Sequence, residues 1–136
     1  MRTTWLRRLG VGAAITATAL YMLIGIGVLT VGDSTQEATT DLFEFGAFMG
    51  AISAITAVAL WRAHSRVALT LVAAFQLIPL LGYFAFAGFR EPAFEAWGLA
   101  IKLCQFVVLV AAAALALRAT VTDAAIARPS TKGLSA

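Results

Sequence analysis

Charged residues are scarce in this sequence. Lysine, arginine, aspartate and glutamate make up 12% of its 136 residues, whereas a soluble domain carries about 25%. Hydrophobic types account for 61% of the chain, and the mean hydropathy is +0.90. This balance argues against a soluble enzyme, a nucleic-acid-binding module and a disordered chain. The sequence therefore predicts an integral membrane protein with the lipid bilayer as its partner and no nucleic acid.

Cysteine and histidine occur once each, as Cys104 and His64. An intrachain disulfide is therefore impossible, and the two side chains cannot by themselves form a structural zinc site. Haem ligation by two histidines of one chain is excluded in the same way. No hydrolase triad, phosphate-binding loop or metal motif is present. The sequence predicts no metal and no cofactor, and it favours a protein without enzymatic activity.

Long uncharged runs dominate the chain. The first run, 9–32, lies between Arg8 and Asp33. It is longer than the apolar region of a signal peptide, about 7–15 residues, so we expect an uncleaved helix. A bilayer span needs about 20 residues, and the chain has room for four. The predicted spans are 9–32, 42–61, 67–89 and 93–117, within a membrane domain 1–118 that precedes a polar, mobile tail, 119–136. Short turns predict antiparallel neighbours in an all-α, four-helix transmembrane bundle.

The loops between the predicted spans sort by charge. Basic residues fall on one side of the membrane: Arg2, Arg7, Arg8, Arg62, Arg66, Arg118, Arg128 and Lys132. Six of the seven acidic residues fall on the other, with Arg90 as its one base: Asp33, Glu37, Asp41, Glu44, Glu91 and Glu95. The seventh, Asp123, lies in the predicted tail. Cytoplasmic loops are enriched in lysine and arginine. We therefore expect both termini in the cytoplasm and the chain in a bacterial inner (plasma) membrane.

Small residues recur every four positions along one face of the second predicted span, as Gly46, Gly50 and Ala54. Small residues at this spacing let two helix backbones approach closely in lipid. The stripe therefore predicts a helix-packing face. Its partner helix lies either in the same chain or in a second copy.

Lys102 is the most informative residue, because a lysine at the centre of a span costs about 2.5–3.5 kcal/mol on insertion scales. One interpretation is a side chain that extends toward the membrane surface and forms a structural ion pair. The other is a buried positive charge that holds an anion or carries a proton. Glu95 and Glu44 are the candidate carboxylate partners. Each also fits a helix start, Glu44 in a capping box with Asp41 and Glu95 in a first turn.

Every predicted span also offers a polar side chain to the middle third of the membrane, among them Tyr21, Ser53, Gln76 and Gln105. Such groups seek partners across helices. They form either a polar clamp that fixes the bundle or a hydrated pocket open to the outside. The candidate ligand-binding set is Lys102, Glu95, Glu44, Tyr21, Gln105, Gln76 and Trp97.

Two functions follow from these features. The leading one is a small non-enzymatic integral membrane protein that acts as an accessory or scaffold subunit of a larger membrane complex, or as a homo-oligomer. The alternative is a carrier or binding protein for a small amphipathic or anionic molecule, which uses an outward-facing pocket around Lys102. A membrane enzyme that uses a quinone or lipid ranks last.

The size and four-span plan resemble those of the small multidrug-resistance transporters and the DoxX-like proteins. The first family carries an essential glutamate within its first helix, whereas the run 9–32 has no acidic residue. No motif of the second family aligns residue by residue. Neither resemblance therefore implies a role for a particular residue.

Overall fold

The computed structural model of the chain describes residues 2–29, 38–87 and 95–126, whose regular structure is entirely α-helical. The helices are α1 (Arg2–Gly25), α2 (Ala38–Arg62), α3 (Arg66–Ala87) and α4 (Ala96–Ile126). Each contains a stretch long and apolar enough to cross a membrane: Thr3–Gly25, Thr40–Arg62, Arg66–Ala85 and Ala96–Ala119. The predicted all-α fold with four helices of membrane-spanning length is confirmed.

The first helix ends well before the uncharged run does. Gly27 has a φ of 74°, which favours glycine because it has no Cβ. Its N–H donates to the Ile24 carbonyl at 3.0 Å, and the Val28 N–H donates to the Leu23 carbonyl at 2.9 Å. These two bonds form a Schellman motif, which closes a helix. The helix therefore occupies 2–25 rather than 9–32, and residues 30–32 lie outside the described residues.

The other helix ends also differ from the predicted spans. Because α2 begins at Ala38, Asp41 lies in its first turn rather than at the N-cap. Before α3, the Ser65 hydroxyl oxygen accepts the Ala68 N–H at 3.2 Å, as an N-cap does. The last helix continues to Ile126, into the region predicted as a tail. Residues 88, 89, 93 and 94 of the predicted spans, and 127–136 of the predicted tail, lie outside the described residues.

Packing is uneven among the four helices. The first packs along much of α2 and α4, and α4 also packs against α3, whereas α2 and α3 touch only briefly. The buried apolar residues form two clusters. The larger surrounds Leu60 and Val108, and the smaller contains Tyr21, Ile24 and Ile101. The smaller cluster adjoins the candidate site described below.

The backbones of α1 and α2 approach closely where Gly25 faces Gly46. A Cβ at Gly46 would lie 2.6 Å from the Gly25 Cα and 2.6 Å from the Tyr21 carbonyl oxygen. Both atoms belong to the backbone, so neither can rotate away as a side chain would. Close approach at small residues is a common way for helices to associate in lipid. This crossing brings Tyr21 next to the start of α2.

Large apolar side chains cover the outside of the bundle. One example from each helix in order is Ile15, Ile55, Ile78 and Leu103, all more than half exposed. A soluble monomer rarely exposes a continuous apolar patch beyond a few hundred Å². An apolar surface on all four helices is instead the surface that lipid requires. The arrangement is that of a small integral membrane protein.

Candidate functional site

A cavity lies where the ends of α1 and α3 meet the starts of α2 and α4, and its volume is about 160 Å³. The residues that line it are Tyr21, Ile24, Leu42, Phe45, Tyr83, Glu95, Gly98, Ile101 and Lys102. We call it the Lys102 cavity. Aromatic and aliphatic side chains form most of its wall, and Lys102 and Glu95 supply its charged groups. A site of this composition suits a small molecule with an apolar body and a polar end.

Lys102 is buried in the cavity wall, with 7% of its surface exposed. Its Nζ donates a hydrogen bond to Gln105 Oε1 at 2.7 Å and lies 5.2 Å from the centre of the Tyr83 ring. The ring face attracts a cation, and the ammonium keeps further donors beyond the one that Gln105 accepts. Among the described residues, Lys102 therefore contacts the Gln105 amide and the Tyr83 ring. It forms no ion pair with Glu95 or Glu44, the candidate carboxylate partners.

Gln105 connects Lys102 to the first helix. Its Nε2 donates to the Tyr21 hydroxyl at 3.3 Å, so the bonds run from Lys102 through Gln105 to Tyr21. All three side chains are buried. The Tyr21 ring also meets Phe45 edge to face, with 6.1 Å between ring centres. Three of the predicted site residues are thus brought together across α1 and α4.

Tyr83 was not among the candidate site residues, yet its ring covers Lys102. The ring lies against Gly98, one turn before Lys102 on α4. A Cβ at Gly98 would lie 2.7 Å from the Tyr83 hydroxyl oxygen and 3.0 Å from its Cε2. Gly98 therefore provides the space that this ring occupies. A glycine in the first turn of α4 was the one sign of this contact in the sequence.

The remaining charged and aromatic candidates, Glu95, Glu44 and Trp97, do not all lie at the cavity. Glu95 is half-buried, lines the Lys102 cavity and precedes α4, where its carbonyl oxygen accepts the Leu99 N–H at 2.9 Å. Glu44 and Trp97 are exposed and do not line the cavity. Among the residues that the structure describes, Glu95 is the carboxylate that lines the cavity.

Gln76 belongs to a second polar layer. Its Nε2 donates to the Thr56 hydroxyl at 3.3 Å, and Thr56 was absent from the predicted set. Ser53, Thr56, Gln76 and Gln105 surround a void of about 10 Å³, which approaches the space that one water needs. The Ser53 and Thr56 hydroxyls donate to carbonyls one turn earlier. Gln105 therefore joins this layer to the Lys102 cavity.

The small-residue stripe faces α1 of the same chain. Gly46 meets the α1 backbone, and a Cβ at Gly50 would lie 3.2 Å from the Met22 Cε. Ala54 lines an open groove between α1 and α2. The two helices are closest at Gly46, where the α2 backbone contacts the α1 backbone, and they are farther apart at Ala54. The stripe thus holds together two helices of one chain.

The described residues contain no group of three or more histidine, cysteine, aspartate or glutamate side chains placed to hold a metal ion. In comparisons with known proteins, no family model, curated protein or solved structure matches the chain. Function must therefore be argued from the geometry of the site.

Proposed function

We propose that this protein binds a small amphipathic molecule with an anionic head group in the Lys102 cavity. The observation that carries the proposal is the Lys102 ammonium in the cavity wall, held by the neutral Gln105 amide and the Tyr83 ring. A charge taken out of water is costly unless it is paired. Neither contact supplies a negative charge, so an anion that enters the cavity gains a partner already in place.

The size of the cavity limits the ligand. At about 160 Å³ it is smaller than the pockets of roughly 300–1,000 Å³ that take drug-sized molecules. An engineered apolar cavity of about 150 Å³ holds a benzene. The ligand is therefore a single ring or short chain with one head group, or the head group of a longer amphiphile. Tyr21, Phe45 and Tyr83 would contact its apolar part.

Benzoate combines a ring with a carboxylate and is the first probe. We expect it to raise the unfolding temperature of the purified protein in detergent, because a ligand that binds only the folded state stabilises it. Lys102→Met should abolish that shift. Lys132→Met makes the same substitution outside the predicted spans and should leave the shift unchanged.

Benzylamine tests the sign of the charge. It has the same ring with a positive end, and we expect a smaller shift than benzoate gives, because its ammonium would face Lys102 although Glu95 also lines the cavity. The proposal is wrong if benzylamine stabilises the protein as well as benzoate does, or if Lys102→Met folds and responds to benzoate like the unmodified chain.

We further propose that the helices run antiparallel, with both termini in the cytoplasm of a bacterium. Helical spans are the rule for the inner membrane, since the outer membrane holds β-barrels. Arg7, at the start of α1, hydrogen-bonds the end of α2, which supports an antiparallel pair, and the arginine distribution supports the orientation. A cysteine placed at Thr35 in a Cys104→Ser chain should react with an impermeant reagent added outside intact cells. Labelling from the cytoplasmic side alone would reverse the orientation.

A second candidate is an accessory subunit or a homo-oligomer, and the surface of α3 favours it. Only 17% of the apolar window in α3 is buried, against 44% in α4. Lipid or another helix can cover this face. Native mass spectrometry after gentle extraction separates the two. A reproducible extra polypeptide or a multiple of 14.3 kDa supports a subunit role, and a bare monomer opposes it.

A further inference from the structure

A second hollow lies on the surface of the bundle between α1 and α2, and it shares no lining residue with the Lys102 cavity. It is an open groove of about 410 Å³. Val11, Ile15 and Thr18 line it from α1, and Ala54 and Val58 line it from α2. The α1 residues are spaced four and three apart, so they share one helix face. Small and branched side chains thus leave a groove between α1 and α2 that larger side chains would fill.

The groove presents carbon almost throughout. Thr18 is the one hydroxyl residue in its wall, and its Oγ1 donates to the Ala14 carbonyl at 2.9 Å. That hydroxyl therefore needs no partner from the groove. From Ala54 to Arg62 the rise along α2 is about 12 Å. This is close to the depth of one leaflet, about half of a 30 Å hydrocarbon core.

One end of the groove is different, because Trp61 and Arg62 form it. Tryptophan is enriched at the level of lipid head groups. Arg62 is exposed, and among the described residues no carboxylate pairs with its guanidinium. Arg8 and Arg66 lie exposed at the same end of the bundle. The apolar groove therefore ends at a positively charged side chain at the depth of the lipid head groups.

We propose that this groove is a phospholipid site: one acyl chain lies between α1 and α2, and the phosphate of an anionic lipid binds Arg62. Guanidinium donors match phosphate oxygens in geometry. A zwitterionic lipid would bring a second cation into a region already positive from Arg8, Arg62 and Arg66. An anionic lipid brings none, so the charge of this end favours it.

Native mass spectrometry of the full chain tests the proposal. Phosphatidylglycerol and phosphatidylcholine with identical acyl chains are titrated into the detergent-solubilised protein, and bound lipids are counted. We expect one phosphatidylglycerol to bind more tightly than phosphatidylcholine. Arg62→Gln should weaken phosphatidylglycerol about fivefold, the effect of one basic side chain at an anionic surface. Arg66→Gln removes the same charge from an arginine that does not line the groove, and its effect should be smaller.

A second pair of variants tests the acyl-chain contact. Ile15→Trp places a large ring in the groove and should weaken both lipids, whereas Ile55→Trp adds the same ring to an exposed α2 position outside it. Equal binding of the two lipids would overturn the proposal, as would equal losses in Arg62→Gln and Arg66→Gln. Unchanged lipid binding in a folded Ile15→Trp chain would also overturn it. Ile15 and Arg62 do not line the Lys102 cavity, so the effects of their variants report on the groove whether or not that cavity binds a ligand.

Discussion

Two cations near opposite ends of α2, Arg7 and Lys102, have different kinds of partner. Arg7, near the end of α2, donates from Nη1 to the Leu60 carbonyl at 3.0 Å and to the Trp61 carbonyl at 2.7 Å. These carbonyls belong to the last turn of a helix, where the partial charge is negative. Lys102, near the start of α2, meets a neutral amide and a ring face.

Under the proposed function, the difference separates a charge that stabilises the fold from a charge that binds a ligand. Arg7 donates hydrogen bonds to carbonyls that the helix end would otherwise leave unpaired, so its charge stabilises the fold. Lys102 has partners that orient its ammonium without neutralising it. A buried cation that the fold does not neutralise is an electrostatic reason to expect an anion. Variants at the two ends of α2 and in the packing around them distinguish the two kinds of charge.

The largest effect should come from the tight crossing beside the Lys102 cavity. Gly46→Ala would place a Cβ 2.6 Å from two backbone atoms of α1, so α1 and α2 must separate. We expect the free energy of unfolding to fall by about 2–3 kcal/mol, the upper part of the range for overpacking. Unfolding in mixed micelles, followed by circular dichroism, measures the change.

Gly12→Ala is the matched control for Gly46→Ala, since nothing lies within 4 Å of a Cβ at Gly12. Alanine favours a helix over glycine by up to about 1 kcal/mol. The control should therefore be neutral or stabilising. Equal losses in the two variants would mean that the crossing at Gly46 is not the tight contact described here.

The next effect should appear at the Arg7 end. Arg7→Met removes the donor to the Leu60 and Trp61 carbonyls. We expect a loss of about 1–2 kcal/mol, since a hydrogen bond from a charged donor contributes about 1.5–3 kcal/mol and water replaces part of it. Arg8→Met is the control, because Arg8 is an exposed neighbour that lines neither hollow. A loss in Arg8→Met as large as that in Arg7→Met would contradict a structural role specific to Arg7.

Composition was enough to predict four helices of membrane-spanning length, but it did not predict where they end. The run 9–32 is uncharged throughout, so hydropathy alone continues past Gly25. The stop depends on the positive φ of Gly27, and charge counts carry no information on backbone angles. A Schellman motif favours a glycine just after the last turn, as Gly27 is, but the sequence does not show which glycine of an uncharged run ends the helix.

The site was predictable in part. Tyr21 lies 11 residues before the end of the predicted span 9–32, and Lys102 lies nine residues after the start of the predicted span 93–117, so both are expected at about the same depth. In the structure, Tyr21 lies four residues before the end of α1, and Lys102 lies six residues after the start of α4. Both helices are shorter at this end of the bundle than the predicted spans, so the two residues still lie close together. Glu44 does not line the cavity. Counting along a helix does not tell which way a side chain turns, and the part of Glu44 in a site stays a prediction.

The third prediction removes the cation from the Lys102 cavity. Lys102→Met should change the free energy of unfolding by no more than about 1 kcal/mol, because two terms oppose each other. Burying the charge has a cost that methionine avoids, but Gln105 Oε1 then loses its donor, at about 1–3 kcal/mol. Lys102→Met combined with Gln105→Leu and Tyr21→Phe removes the charge and every partner in this chain of hydrogen bonds, and it should be more stable than Lys102→Met alone. A loss of about 3–5 kcal/mol in Lys102→Met would instead indicate a broken buried ion pair.

The smallest effect should come from the polar layer between α2 and α3. These helices touch only briefly, and Gln76 joins them through the Thr56 hydroxyl at 3.3 Å. A side-chain hydrogen bond between membrane helices contributes about 0.6 kcal/mol on average. A double-mutant cycle of Gln76→Leu and Thr56→Val should give a coupling energy of that size. A coupling near zero would mean that the bond does not hold α3 in place. The packing of α3 against α4 would then contribute more than this bond to the position of α3.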